Sequence, residues 1–173
     1  MPEIIKTYKQ SVPAMRFIGK KYGDSDRVNG TFGAKWGEWF ENSWFDVLTK
    51  QISGNPDDTC EDGGASIGLM RHKDGEPFQY WVGMFAPQDT DVPDGFEKVD
   101  FPKSEWGISW LYGKEAELYM NEGKCAQRLG SEGITVINDP DGSCWFFERY
   151  VCPRFTTPDE KGNVILDIGF FVK

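Results

Sequence analysis

The sequence predicts an α+β fold. One domain holds two pseudo-symmetric strand–helix–strand halves that form antiparallel sheet, with two helices around a ligand cleft. Three observations predict it. Short apolar runs alternate with clusters of turn formers, and two longer segments carry apolar residues at helical spacing. In addition, "YWVGMFA" (80–86) is echoed by "LDIGFFV" (166–172), half a chain further on, with the glycine and its apolar flanks matched.

Strands are expected at about 13–22, 66–73, 77–86, 96–112, 144–155 and 164–172. The 96–112 stretch should hold two strands, broken near Pro102-Lys103-Ser104. Loops fall at "NPDDTCEDGG" (55–64), "PQDTDVPDG" (87–95), "NDPDG" (138–142) and "PDEKG" (158–162). The first helix, 32–52, places Phe32, Trp36, Trp39, Phe40, Trp44, Val47 and Leu48 on one stripe. The second, 115–130, is thinner: Leu118, Cys125, Ala126 and Leu129 form its stripe, Gly123 interrupts it and Gly130 is its stop. "KKYG" ending at Gly23 also matches "WLYG" ending at Gly113. Both echoes divide the chain into repeats of about 1–95 and 96–173, which would pack around a cleft.

Composition narrows the function. The 173 residues suit one domain, and 28 acidic against 19 basic residues leave a net charge of −9. That balance argues against direct nucleic-acid binding and favours cationic partners. No apolar run reaches the ~18–20 residues of a membrane span, and "MPEIIKTYKQ" does not read as a signal peptide, so a cytoplasmic protein with reduced thiols is expected. A single histidine, His72, leaves little material for a zinc site or a Ser-His-Asp triad, and it reads as a solvated strand end. No metal or cofactor is expected. Aromatic residues are the excess: 15% of the chain, with seven tryptophans.

Within "CWFFERYVCPRF" (144–155), Glu148 falls inside a strand that otherwise reads as buried. Arg149 must point to the opposite face, whereas Phe146, Tyr150 and Cys152 share the face of Glu148. Three roles are open to it. It can be a structural carboxylate held by a buried base or by Tyr and Trp donors. It can be a counter-charge for a cationic ligand, or an acid whose pKa burial raises toward neutrality.

The order of elements, with "FERY" followed by a turn and a final "LDIGFFV", resembles the GyrI-like small-molecule-binding family, the effector-binding domain of AraC-type and MerR-type multidrug regulators. The resemblance runs from "MRFIGKKYG" to "ILDIGFFVK". With no helix-turn-helix beside it, the chain is similar to the free-standing members. The resemblance implies two repeats around a cavity that takes bulky aromatic, often cationic, compounds against a central acid. That acid falls on Glu148, and a second acidic position falls on Asp167. Some free-standing members are cyclopropanoid cyclohydrolases that open strained rings of DNA-alkylating toxins, and others inhibit gyrase. Two alternatives to simple binding follow: a ring-opening hydrolase and an inhibitor with a protein partner.

The residues assigned to the site are Glu148, Tyr150 and Tyr119 for chemistry. Trp36, Trp39, Phe40, Trp81, Trp110, Tyr119, Glu148 and Asp167 are assigned to ligand binding. On periodicity alone Trp36, Trp39 and Phe40 are core, but tryptophans one turn apart also give flat walls for a planar ligand. Trp81 is the repeat counterpart of Asp167, a ring in place of a charge. Asp167 is open between a second acid and a satisfied polar group, and Trp106 and Trp110 between lining and core.

Overall fold

The computed structural model describes residues 1–52 and 54–173, and of Asp57 only the backbone. Its strands are β1 (Glu3–Val12), β2 (Met15–Tyr22), β3 (Ser66–His72), β4 (Gln79–Pro87), β5 (Glu97–Phe101), β6 (Ser104–Gly113), β7 (Cys144–Tyr150) and β8 (Val164–Val172). The helices are α1 (Gly33–Glu41), α2 (Trp44–Gln51), α3 (Glu115–Leu118) and α4 (Glu122–Ser131). All eight strands join one antiparallel sheet in the order β1-β6-β8-β7-β3-β4-β2-β5.

That order reads as two matching four-strand groups meeting at β7 and β3. At the meeting point Gly68 pairs with Glu148. Gly83 pairs with Ile67 and Gly169 with Phe147, which makes Gly68 and Glu148 counterparts as well as neighbours. Glu148 therefore lies at the local twofold of the sheet. The strand-one echo is one residue out of register. Gly83 faces Gly19 while Gly169 faces Ile108, so Tyr22 and Tyr112 fall on opposite faces.

The sheet is strongly curled. Three strands separate β6 from β4, and a flat sheet would hold them ~19 Å apart. Yet the rings of Trp106 and Phe85 lie 4.9 Å apart, and those of Phe101 on β5 and Phe171 on β8 lie 5.0 Å apart. One face is thus rolled inward around its own aromatic core, which includes Phe17, Trp81, Phe85, Trp106, Trp145 and Phe147. The short β1–β2 and β5–β6 links span this curl. On the outer face α1 and α2 cover the β2–β4 half, and α3 and α4 cover the β6–β8 half.

Several elements differ from expectation. The strand β1 is missing from the sequence reading because its edge position leaves it mostly exposed and polar, without an apolar alternation. The two expected helices are four. The first breaks at Ser43, whose φ is 53°, and the second at Met120, whose φ is 68°. The break turns α2, so Val47 faces solvent and Phe45 packs on Trp39, while Phe40, on α1, is itself 65% exposed. Helix α4 runs past Gly130 to Ser131, and the stop is Gly133, in the left-handed region at φ 81°. The β7 strand ends at Tyr150, short of 155. Cys125, Cys144 and Cys152 are free thiols, and His72 is exposed at the end of β3.

Candidate functional site

Glu148 stands in the middle of β7 on the outer face, at the seam between the two helical layers. Its side chain is only 5% exposed. Tyr150, two residues along the same strand and on the same face, donates to Oε2 at 2.7 Å. Tyr80 on β4 donates to the same oxygen at 3.2 Å. Tyr80 must reach across the whole of β3 to do so, and Gly68 lets it. A Cβ at position 68 would lie 2.6 Å from the Tyr80 hydroxyl and 3.0 Å from Glu148 Oε2.

Tyr80 is fixed from the helical side. The Phe32 ring stacks on it at 4.2 Å, nearly parallel, and Trp36 Nε1 donates to its hydroxyl at 2.9 Å. A chain of donors therefore runs from the Trp36 indole through the Tyr80 phenol to the carboxyl group. Trp36 also meets the Tyr150 ring edge-on at 4.9 Å, and Phe155 closes the other side of Tyr150 at 4.7 Å. Tyr119, at the end of α3 and 38% exposed, lies beside Tyr150 at the outer rim.

The electrostatics follow from this burial. No Lys, Arg or His pairs with Glu148 among the described residues. Loss of water pushes its carboxyl up to about 7, and the charge of Glu122 adds to the rise. Hydrogen bonds from Tyr150 and Tyr80 work against it. Burial and the carboxylate push the phenols of Tyr80 and Tyr150 well above the usual tyrosine range, so both remain donors. Tyr119 is pushed up to about 12, first by burial and then by Glu115 and Glu148.

Of the residues assigned from the sequence, the structure brings together Glu148, Tyr150, Tyr119 and Trp36, with Phe40 exposed beside Trp36 at 6.4 Å between rings. Trp39 does not reach the site. It is fully buried beneath α1 and α2, and its Nε1 donates to the Tyr22 hydroxyl. Trp81, Trp110 and Asp167 lie on the opposite, inward face, because strand alternation puts them out of phase with Glu148. Trp81 packs edge-on against Phe17. Trp110 lies under Lys6 and Arg154, 4.4 and 4.5 Å from the ring. Asp167 is paired with Arg149 at 2.9 Å and with Arg154, so it is a structural anion and not a second acid of the site. Trp106 belongs to the inward core.

Sequence reasoning missed Tyr80, Gly68 and Phe32. Tyr80 carried a readable signal, since it must face away from Trp81. The role of Gly68 depends on strand order, which the sequence does not display. Two recesses on the surface, of about 390 and 350 Å³, lie away from Glu148. One is lined by Phe101, Ile137 and Phe171, the other by Tyr22, Arg71 and Phe78. Glu148 itself is nearly covered at the seam, 5% exposed.

No family model and no curated protein sequence matches the chain. Solved structures do. A chain described as a candidate bacterial transcription-regulation protein from Staphylococcus aureus MU50 shares the fold at a TM-score of 0.61 and 12% identity, over 97% of this chain and 98% of that one. The protein SAV2435, solved bound to tetraphenylphosphonium, matches at a TM-score of 0.63 and 12% identity, over 98% and 94%. A hydrolase from Listeria innocua matches at a TM-score of 0.52 and 12% identity, over 97% and 92%. The α+β architecture is that of these proteins.

Proposed function

We propose that the chain is a GyrI-like effector-binding domain. Its two halves, β2 to β5 and β6 to β8 with β1, form one domain that binds small hydrophobic aromatic or cationic molecules at the Glu148 seam. The observation that carries this reading is a buried carboxyl with two phenol donors, an indole and no basic partner. Asp167, by contrast, is matched by two bases, whereas the phenols on Glu148 supply hydrogen bonds but no counter-charge. Glu148 is left to be matched by something that arrives. The tetraphenylphosphonium complex of SAV2435 supports the same class of ligand for this fold. Glu148 is nearly covered, so a bulky ligand reaches it only if the aromatic side chains over the seam shift.

The test is a fluorescence titration with tetraphenylphosphonium and with neutral triphenylphosphine oxide. The wild type should bind both with micromolar affinity, with Trp36 reporting. Glu148→Gln should weaken the cation by about tenfold or more, roughly 1.4 kcal/mol, and leave the neutral compound nearly unchanged. Equal loss for both would remove the counter-charge role.

A second reading, ring-opening hydrolysis, draws on the carboxyl being poised at about 7 and on the hydrolase among the fold neighbours. Ionised Glu148 would take a proton from water as its oxygen bonds to the strained ring carbon. The ring C–C bond breaks, and its electron pair ends on a conjugated carbonyl oxygen that Tyr150 or Tyr119 protonates. Incubation with a cyclopropane-bearing alkylating agent should then give the hydrated product by mass spectrometry, and Glu148→Gln should give none. Stoichiometric binding without product would leave sequestration or sensing as the function.

A further inference from the structure

The two oxygens of Glu148 are not equivalent. Both phenols, Tyr80 and Tyr150, donate to Oε2. Among the described residues no donor reaches Oε1. The fully occluded polar side-chain atoms without a partner are Trp106 Nε1, Ser109 Oγ and Ser143 Oγ, so Oε1, which also lacks a partner, is not sealed off. The arrangement is enforced. Gly68 leaves the space in which the Tyr80 hydroxyl meets Oε2, and Trp36 and Phe32 hold Tyr80 there.

An approaching ligand therefore meets a carboxylate with one oxygen spoken for. Guanidinium and amidinium groups gain their advantage from two parallel N–H donors placed on two carboxylate oxygens at once. Here the second donor would have to displace two phenols, Tyr80 and Tyr150, from the oxygen they already hold. An ammonium or onium centre needs only a single contact and loses nothing.

Resting on the binding reading above, we infer that the site selects single-point cations, such as aryl ammonium or phosphonium groups, over fork-shaped amidinium and guanidinium groups. Tyr80, held by Gly68, is the residue that sets this selectivity.

The test compares two ligands with the same ring, 1-naphthylmethylammonium and naphthalene-1-carboxamidinium, titrated at pH 8 by fluorescence and calorimetry. The wild type should bind the ammonium at least as tightly as the amidinium. Tyr80→Phe keeps the ring that stacks on Phe32 but removes one hydroxyl from Oε2. It should shift the ratio of affinities toward the amidinium by about tenfold, the worth of one charge-assisted hydrogen bond. Gly68→Ala, which pushes the Tyr80 hydroxyl away, should shift the ratio the same way. If either variant fails to fold, the other carries the comparison. A wild type that prefers the amidinium, or ratios unmoved in a folded variant, would overturn the selectivity while leaving the binding reading intact. Absence of binding by both ligands and by tetraphenylphosphonium would overturn the two together.

Discussion

A carboxyl group inside a sheet can be tolerated with a cation beside it or with a proton on it. Asp167 and Glu148 show the two solutions on the two faces of neighbouring strands. Asp167 is held by Arg149 and Arg154, and Arg149 is itself only 1% exposed. Replacing Asp167 by Asn should leave Arg149 and Arg154 to share Asp62 and cost up to about 3 kcal/mol in urea unfolding, with ligand affinity unchanged. Glu148 takes the other course, with its carboxyl near 7 against an ordinary 4.5. Between those values the native state holds more protons than the unfolded state. Wild-type stability from this group is therefore full below about 4.5, falls as pH rises, and levels off above 7. Glu148→Gln lacks that dependence. Relative to wild type it should gain about 3 kcal/mol between pH 4.5 and pH 8.5, a difference that urea titrations across that range will read. A difference independent of pH would mean that folding does not raise the Glu148 carboxyl.

At the scale of the elements, the strands with apolar alternation and the two helical regions were legible, and so was the face of each β7 residue. The breaks within the helices were not. Ser43 and Met120 take left-handed backbone without glycine, so no residue marks the kink, and the stripe of 32–52 continues through it. Ser43→Gly should relieve that conformation and raise stability by up to about 1 kcal/mol in urea unfolding. Within α1 itself two tryptophans that periodicity had joined part company: Trp36 donates to Tyr80 and Trp39 to Tyr22. Trp39 is core, so Trp39→Ala should cost about 3–5 kcal/mol. Trp36 belongs to the seam, so Trp36→Phe, which loses the donor to Tyr80, should lower ligand affinity far more than stability. Comparable losses of stability in both would remove Trp36 from the site.

For the whole molecule, the decisive feature is the curl of the sheet. It explains the aromatic excess more fully than a ligand cleft does, because Trp81, Trp106 and Trp145 fill the rolled inner face. The repeat echo made two halves readable in the sequence, but curvature depends on which strands neighbour one another, and short motifs do not record that. The twofold then leaves one position at the centre where the halves differ in kind: Gly68 in one, Glu148 in the other. The central claim is that this lone carboxyl is the counter-charge for a cation. Calorimetry of tetraphenylphosphonium binding in buffers of different ionisation enthalpy tests it most directly. At pH 6 a carboxyl near 7 is roughly nine-tenths protonated, so wild type should release close to one proton per cation bound. The release should fade by pH 9 and be absent in Glu148→Gln. Tight binding at pH 6 with no proton released by wild type would contradict the claim.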